Sequence, residues 1–459
     1  GAVERDRGRA GGGGGGVSRP LVALVGRPNV GKSALFNRII GQRRSIVEET
    51  PGVTRDPVYA EADWAGREMV LVDTGGMAEG GIDLAREVRE QAEAAVAAAD
   101  LVILVVDVTE GLHPLDEEVA DFLRRAGKAV LVAAGKADNA ARAGAAAEFH
   151  RLGLGDPLPV SALHGRGVGD LLDRVVSLLP VPAGEPPAGT DQAVRVAVVG
   201  RPNAGKSSLV NALLGEKRLI VSEVPGTTRD TVDCLLRRGE RAYVLVDTAG
   251  VRRPDRVGRT LERYAVMRAL RAIDRAHVAI LVIDATLGVV QQDQRLAGYI
   301  HESGRALVVA LNKWDLVAGP ESPEVMARAA ARLSFVAYAP LWAVSARTGR
   351  GLTRLLGAVD RVAAAYRREV AASALARFLA DAVARTPPPG GVRIPSLKQV
   401  ASAPPTFVVT ASDPDAVPPS YRRYLETRLR EAFEWEGAPL RMIWRPAGVG
   451  MSTRTGRRI

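Results

Sequence analysis

The stretch LVALVGRPNVGKS, from Leu21 to Ser33, decides the fold of the first half of the chain, and RVAVVGRPNAGKS, from Arg195 to Ser207, repeats it in the second. In each copy a short aliphatic run leads into a glycine-rich loop of the form G-x-x-x-x-G-K-[ST]. In the first copy a helix is expected to begin at Lys32, and the second copy repeats the pattern. Strand, glycine loop and helix in this order form the βα unit of a parallel sheet. Backbone N–H groups of such a loop wrap phosphates. Two copies that share Arg-Pro-Asn are beyond coincidence, so the sequence predicts two nucleotide-binding sites.

The residues of each loop have distinct expected roles. Lys32 and Lys206 are predicted to reach the β- and γ-phosphate oxygens, and the hydroxyls of Ser33 and Ser207 are predicted to ligate Mg²⁺. The other predicted nucleotide-binding positions of the loops are Gly26, Arg27, Pro28, Asn29, Val30 and Gly31 in the first copy and Gly200, Arg201, Pro202, Asn203, Ala204 and Gly205 in the second.

Further aliphatic runs follow each loop, separated by amphipathic stretches, as expected of doubly wound α/β domains with mostly parallel sheets. The copies are offset by 174 residues at the loop, from Gly26 to Gly200, and by 177 residues from Asp107 to Asp284, which indicates a duplicated domain with small insertions. The predicted strands are Met69–Val72, Leu101–Val106, Ala129–Val132, Tyr243–Val246, Val278–Ile283 and Leu307–Leu311.

Length and composition bound the class of protein. A chain of 459 residues has room for about three domains. The single cysteine, Cys234, permits no disulfide within the chain and favours a reducing, cytosolic compartment. No apolar run approaches the ~18 residues of a membrane span, and no membrane contact is expected. The predicted division is a disordered Gly/Arg-rich tail (1–19), a first α/β domain (20–180), a Pro/Gly linker (181–192), a second α/β domain (193–363), a small α+β domain (364–446) and a basic tail (447–459).

The third domain carries most of the net charge. Of the total of +10, the segment from Arg361 onward contributes +8, with 16 Lys and Arg against 8 Asp and Glu. Such a concentration favours an acidic partner, most simply nucleic acid, over a merely solvated surface. For the four arginines of one predicted helix, a solvated face and a contact with nucleic-acid phosphates both remain open; these are Arg422, Arg423, Arg428 and Arg430. The predicted elements are helices at Ser373–Ala384 and Tyr421–Trp435 and strands at Phe407–Thr410 and Leu440–Trp444.

Each α/β copy continues with motifs that distinguish GTPases from other proteins with this loop. PGVTRD and PGTTRD supply Thr54 and Thr228, the hydroxyls expected to cap Mg²⁺ and sense the γ-phosphate. DTGG and DTAG follow a strand in each copy. In these motifs Asp73 and Asp247 are predicted to hold Mg²⁺ through water, and the last glycine to contact the γ-phosphate. The predicted nucleotide-binding residues here are Asp73, Thr74, Gly75, Gly76, Asp247, Thr248, Ala249 and Gly250.

Base recognition is expected from N-K-x-D, whose aspartate pairs with the two guanine N–H groups. The second copy has the motif intact as Asn312, Lys313 and Asp315. The first copy reads Gly135, Lys136 and Asp138, so the bracing bonds of the asparagine are lost and weaker binding by roughly 1–3 kcal/mol is expected. Backbone N–H groups in two further segments are predicted to meet the guanine O6: Ser161 and Ala162 in the first copy, and Ser345 and Ala346 in the second.

The catalytic apparatus is not evident from these residues alone. Where many GTPases have a water-orienting Gln, this chain has Met77 and Val251, which cannot align water. Hydrolysis must then depend on positioning, on Mg²⁺ and on another cationic element. The candidates are Arg252 and Arg253, an added partner, or a monovalent cation.

Taken together, the motifs resemble the Der (EngA) family of tandem GTPases over about Leu21–Pro446. GRTLERYAVMRALRAI, ending at Ile273, and SYRRYLETRLREAFEWEGAPLRMIWR, ending at Arg445, also match the family's pattern. The resemblance implies two GTPase domains and a KH-like domain, binding of GTP and GDP, and a monomer that acts in maturation of the large (50S) ribosomal subunit by contact with its rRNA. It also implies that a K⁺ ion held by the loop asparagine assists hydrolysis. The implied catalytic residues are Asn29, Lys32, Thr54, Asn203, Lys206 and Thr228.

Two departures from the family pattern keep alternatives open. Gly135 stands where the family has Asn, and the segment PPPGGVRIPSLKQVA differs from the usual basic-aromatic stretch. The third domain also lacks a Gly-x-x-Gly clamp for nucleic acid, as the family's KH-like domains generally do. One alternative is a regulatory module that holds nucleotide at the first site without turnover. Another is a tRNA-modification GTPase, which shares GTTRD but usually ends in a cysteine motif that is absent here.

Overall fold

The computed structural model describes residues 19–41, 59–75, 84–180, 193–215, 220–223, 233–247, 260–317, 319 and 322–447. Several predicted features therefore lie outside the described residues. These are most of the first tail and of the last, the linker, the Mg²⁺-sensing Thr54 and Thr228, Gly76, Thr248, Ala249, Gly250, and the positions Met77, Val251, Arg252 and Arg253.

The first unit is a sheet of six strands with helices on both faces. Its strands are β1 (Leu21–Val25), β2 (Tyr59–Trp64), β3 (Arg67–Asp73), β4 (Leu101–Asp107), β5 (Ala129–Gly135) and β6 (Leu158–Pro159). Its helices are α1 (Lys32–Gly41), α2 (Leu84–Ala98), α3 (Pro114–Ala126), α4 (Ala140–Ala145) and α5 (Val168–Leu178). The order is β2-β3-β1-β4-β5-β6, and only the β2–β3 pair is antiparallel. Every residue of β1 and β4 is buried, because helices cover both faces.

The second unit repeats this plan with one more strand. Its strands are β7 (Val194–Val199), β8 (Ile220–Glu223), β9 (Cys234–Arg238), β10 (Arg241–Val246), β11 (Val278–Asp284), β12 (Ala306–Asn312) and β13 (Leu341–Ala343). Its helices are α6 (Lys206–Leu214), α7 (Thr260–Arg275), α8 (Gln291–Glu302), α9 (Ser322–Arg332) and α10 (Leu352–Tyr366). The order is β13-β12-β11-β7-β10-β9-β8, with antiparallel pairing only at the β8–β9–β10 edge.

The third unit has a sheet of three strands with two helices. Its elements are α11 (Ala372–Arg385), β14 (Ser396–Ser402), β15 (Pro405–Ala411), α12 (Pro419–Phe433) and β16 (Arg441–Pro446). The order is β14-β15-β16, antiparallel and then parallel. Alternate residues of β15 are buried beneath the helices, among them Phe407, which packs edge-to-face on Trp435. The unit shares a continuous hydrophobic core with one face of the second unit's sheet.

The predicted fold class is confirmed, and each predicted strand and helix is present with shifted ends. The final helix ends at Phe433 and not at Trp435, because Glu434 adopts a left-handed conformation (φ 53°) that terminates it. The segment PPPGGVRIPSLKQVA contains most of strand β14, which the interruption of its apolar pattern by Lys398 and Gln399 had obscured.

The two α/β units contact each other directly. Helix α2 packs along α7. The side chain of Arg19 donates a hydrogen bond at 2.5 Å to the carboxylate of Asp274, which lies in the last turn of α7. The Tyr59 hydroxyl donates to the Arg295 carbonyl at 2.6 Å, and its ring meets Tyr299 edge-on. Because α2 and α7 each follow a DTxG segment, the packed helices connect the neighbourhoods of the two predicted phosphate sites.

Candidate nucleotide sites

The two glycine-rich loops have the same geometry, with the lysine folded back over the loop. The Lys32 ammonium donates to the carbonyls of Gly26 and Arg27, both at 2.7 Å, and Lys206 donates to Arg201 at the same distance. Burial lowers the pKa of Lys206 to about 8, although Asp293 acts to raise it. In both copies the ammonium group thus lies against the carbonyls of the loop whose backbone N–H groups are predicted to wrap the phosphates.

Close approach of the backbone explains the first glycine of each loop. A Cβ at Gly26 would lie 2.3 Å from the Val105 carbonyl oxygen, and one at Gly200 would lie 2.3 Å from that of Val282. The carbonyls belong to β4 and β11, the strands next to the loop-bearing strands. Only glycine lets the loop turn this tightly over the end of the sheet.

The arginine of each loop is a brace for the loop, a role that the sequence did not reveal. The Arg27 Nε donates to Asp116 at 3.0 Å, and the Arg201 Nε donates to Asp293 at 3.1 Å. Both carboxylates are fully buried in the first turn of a helix, α3 or α8. The pKa of each carboxyl lies above its ordinary value, because the effect of burial exceeds the opposing effect of the arginine. The side chains thus tie each glycine-rich loop to the first turn of α3 or α8.

In the first unit two predicted Mg²⁺ ligands, Ser33 and Asp73, lie together. The Ser33 hydroxyl bonds the Asp73 carboxylate at 2.5 Å across the end of β3. In the second unit Asp247 is buried, burial raises its pKa, and its Oδ1 has no hydrogen-bond partner among the described residues. Hydroxyl and carboxylate oxygens are the ligands that Mg²⁺ prefers. Ser33 with Asp73, and Ser207 with Asp247, would therefore hold the ion, which would neutralise charge on the transferred phosphoryl group.

The hydroxyl of Thr74, a predicted nucleotide-binding residue, bonds within the protein. It donates to the Leu24 carbonyl at 2.5 Å and lies 3.2 Å from the Gln91 amide oxygen, and the side chain is fully buried. This contact fixes the DTGG segment to β1. The Gly75 N–H bonds the Asp73 carboxylate at 2.9 Å, which orients the predicted Mg²⁺ ligand.

The asparagine of the second guanine motif links three loops. The Asn312 side-chain amide donates to the Ala204 carbonyl at 2.9 Å, and its oxygen accepts from the Ala346 N–H at 3.0 Å. The side chain lies against Gly205, where a Cβ would come within 2.2 Å of the amide nitrogen. One buried side chain therefore holds together the phosphate loop, the N-K-x-D loop and the loop that contains Ser345 and Ala346.

The first site has the same frame without this brace. A Cβ at Gly135 would lie 3.1 Å from the Val30 carbonyl, the counterpart of Ala204, and a Cβ at Gly31 would meet nothing within 4 Å. The Val106 carbonyl oxygen lies equally near, at 3.1 Å, so an asparagine at position 135 would reach the counterpart acceptor only if the neighbouring backbone gave by a few tenths of an ångström. The lost bracing bonds that the sequence predicted are visible as this difference between the copies.

A second ion pair in each copy was also missed by the sequence reasoning. The Lys136 ammonium lies 2.5 Å from Asp107, and Lys313 lies 2.5 Å from Asp284. Burial acts to raise the pKa of each aspartate. Hydrogen bonds from the lysine and from a threonine two residues further along the chain outweigh burial, so the pKa lies below its ordinary value. Both lysines have φ near 60°, so the pair holds a left-handed turn at the guanine motif. The sequence feature that could have predicted this ion pair is Asp-x-Thr, which begins at the last residue of β4 and of β11.

Ser161 and Ser345 position the two carboxylates that are predicted to read the base. The Ser161 hydroxyl donates to Asp138 and the Ser345 hydroxyl donates to Asp315, both at 2.6 Å. The bond from Ser345 is the main reason that the pKa of Asp315 lies below its ordinary value. The serine hydroxyls orient the two carboxylates, as two hydrogen bonds from a guanine edge would require.

In the third unit most arginines of α12 have partners within the unit. Arg430 donates to the carbonyls of Trp435 and Ala438, both at 2.7 Å, and Arg422 lies over the Trp444 ring. Trp435 is fully buried, as expected of a core residue. Of these arginines, Arg423 is the exposed one. Arg430 therefore belongs neither to a solvated face nor to an RNA-binding face, because its guanidinium is bonded to carbonyls of the same unit.

Sequence comparisons agree with this geometry. A family profile described as "50S ribosome-binding GTPase" matches residues 21–136 and 195–313, and one described as "KH-domain-like of EngA bacterial GTPase enzymes, C-terminal" matches residues 369–445. The elongation factor Tu GTP-binding domain profile matches residues 263–365. Among the described residues no helix combines the length and apolar character needed to cross a bilayer.

Two relatives match this chain over nearly their whole length. The chain is 52% identical to GTPase Der of Moorella thermoacetica over 437 residues, which are 94% of this chain and 99% of that protein. It is 48% identical to GTPase Der of Desulforudis audaxviator over 436 residues, again 94% and 99%. Among solved structures, Era of Aquifex aeolicus is similar at 24% identity and a TM-score of 0.30, covering 62% of this chain and 99% of its own; this likeness is too low to support an argument.

Proposed function

The chain belongs to the GTPase Der family of GTP-hydrolysing enzymes, and we propose that it is a K⁺-stimulated switch that acts in maturation of the 50S ribosomal subunit. The observation that carries the proposal is the duplicated guanine site, in which Asp138 and Asp315 are each held by a serine hydroxyl at 2.6 Å, next to a phosphate loop. A basic module follows the two sites in the same chain.

The proposal assigns GTP and Mg²⁺ to both sites and K⁺ to the loop asparagines. Asn29 and Asn203 are exposed at matching positions, with φ of 66° and 62°, which supports equivalent roles for their side chains. A monovalent cation there would add positive charge beside the phosphates without a Gln or an arginine finger. GTP hydrolysis should be faster in K⁺ than in Na⁺, and Asn203→Ala should abolish the difference at the second site. Equal rates in the two salts would contradict the role of K⁺.

The proposed partner is the large ribosomal subunit with its rRNA, bound by a monomer in the cytosol. Contact between α2 and α7 supports nucleotide-dependent exposure of the third domain, because both helices follow a segment predicted to sense the γ-phosphate. Co-sedimentation of the full chain with 50S particles should be stronger with a GTP analogue than with GDP. Absent, equal or salt-insensitive association in the two states would contradict this proposal.

A second candidate function concerns the first site alone. Gly135 leaves that site without the brace that Asn312 provides, which supports a regulatory site that holds nucleotide and turns it over slowly. Lys32→Ala and Lys206→Ala separate the cases in a GTPase assay of the full chain. If only Lys206→Ala reduces turnover, the first site is regulatory. If neither change reduces turnover, the enzymatic assignment itself fails.

A further inference from the structure

The three-stranded sheet of the third unit sorts its charges onto one face. Strands β14, β15 and β16 contain no Asp or Glu, and their only charged residues are Lys398, Arg441 and Arg445. Register and alternation place all three on the face opposite the helices, which we call the open face. Its paired residues are Ser396, Lys398, Ala401, Thr406, Val408, Thr410, Arg441, Ile443 and Arg445, and Val400 lies at the register shift between Gln399 and Ala401.

The open face is accessible among the residues that the structure describes. Lys398, Arg441 and Arg445 are exposed, as are the apolar residues Val400 (58%) and Ile443 (40%). Neither Lys398 nor Arg445 has an ion-pair or hydrogen-bond partner within the described part of the chain, and Arg441 bonds only a carbonyl, that of Glu302. These cations contrast with Arg422 and Arg430 of α12, which are engaged by the fold.

Hydroxyl groups lie between the cations. The register aligns Ser396 with Thr410 and Thr410 with Arg445, and it aligns Thr406 with Arg441. The Ser396 and Thr410 hydroxyls bond each other at 2.9 Å. Arg441 and Arg445 are four residues apart, roughly 13 Å along the strand, and Lys398 lies two strands away, roughly 10 Å across the sheet. Arginine, lysine, serine and threonine are the side chains that contact phosphate oxygens in nucleic-acid complexes.

We propose that the open face binds the sugar–phosphate backbone of RNA without reading its sequence. No aromatic side chain is among its residues, so it offers no platform for stacking bases. The chain's own ends do not complement it: residues 1–18 contain three Arg against two acidic residues, and residues 448–459 contain three Arg and no acidic residue. The choice of RNA over other polyanions rests on the proposed ribosomal function. Canonical KH recognition through a Gly-x-x-Gly loop is not involved.

The test uses the full chain, a double-helical RNA hairpin and two matched double variants. K398Q/R445Q removes two charges from the open face. R377Q/R423Q removes two exposed charges from α11 and α12, on the helix side of the same unit. If each open-face residue contacts one phosphate, the first variant should lose roughly 25- to 60-fold in affinity near 0.1 M salt, and the slope of log K against log salt should fall by roughly 1.4–1.8. The second variant should bind like wild type, and hairpins of different sequence should bind alike.

Several results would overturn the proposal. An unchanged affinity and salt slope in K398Q/R445Q, or an equal loss in R377Q/R423Q, would show that the face is not the contact. Displacement of the hairpin by poly-glutamate at equal charge concentration would show a surface for acidic protein. If the wild type associates with 50S particles while K398Q/R445Q leaves RNA affinity intact, the inference fails and the proposed function stands. A wild type that binds neither hairpin nor subunit overturns both. GTPase rate and melting temperature confirm that the variants are folded.

Discussion

The side-chain amide of Asn312 donates to the Ala204 carbonyl at 2.9 Å and so joins the guanine loop of the second site to its phosphate loop. The first site has Gly135 in the same place, with the acceptor carbonyl of Val30 within 3.1 Å of where a Cβ would stand. The difference between the two sites is therefore one side chain in an otherwise repeated frame, and it can be exchanged.

Gly135→Asn should strengthen guanine nucleotide binding at the first site by about 1–3 kcal/mol, or roughly 5- to 150-fold in Kd. The reason is that the amide restores one or two hydrogen bonds between loops. Titration calorimetry in a Lys206→Ala background isolates the first site. Asn312→Gly in a Lys32→Ala background is the matched control and should weaken the second site by a similar factor. Unchanged affinity in both variants would contradict the bracing role.

Arg27→Met should destabilise the first unit by about 3–5 kcal/mol, because it leaves the fully buried Asp116 carboxylate without its partner. The exposed Glu110, which also bonds Arg27, should contribute little. The double variant Arg27→Met/Asp116→Leu should recover most of the loss, since no buried charge remains. Denaturation midpoints report the effect, with the unfolding of the second unit as an internal reference. Equal midpoints for the single and double variants would show that the pair is not the cause.

Ser345→Ala should weaken GTP binding at the second site by about 1 kcal/mol, roughly fivefold, since the Asp315 carboxylate loses the bond that orients it. The pKa of Asp315 should rise toward its ordinary value, because that bond is the main cause of its lowering. Ser345→Thr keeps the hydroxyl and should bind nearly as wild type does. Fluorescent-nucleotide titration gives the Kd values, and identical values for Ala and Thr would rule out this role.

His277 should make the second unit sensitive to acid. Burial, reinforced by Arg367, Arg195 and Arg305, lowers its pKa to about 3, and its Nδ1 accepts from the Arg195 N–H at 3.1 Å. Below about pH 6.5 the unfolded chain binds a proton at this residue and the folded chain does not, so stability must fall as the pH falls from there toward 3. His277→Gln removes this titration. The difference in melting temperature between wild type and variant should therefore be smaller at pH 5 than at pH 7.5. The same difference at both pH values would contradict the lowered pKa of His277.

The sequence predicted the α/β class and most strands because buried parallel strands are continuous aliphatic runs. It missed β14, where Lys398 and Gln399 interrupt the apolar pattern and only pairing with β15 makes a strand. It overlooked Arg27 as a brace because its partner lies 89 residues further along the chain. It named Asp107 only as a repeat marker, since the contact with Lys136 forms where two neighbouring strands end.

The sequence by itself determined the two phosphate loops, the guanine motifs and the missing asparagine of the first site. Each of these depends on residue types at fixed short spacing, because a loop that wraps phosphates is built from consecutive backbone groups. Only the tertiary structure decided which side chains brace those loops, how α2 meets α7, and that Lys398, Arg441 and Arg445 share one face. Those relationships depend on strand register and packing, which bring together residues that are far apart in the chain.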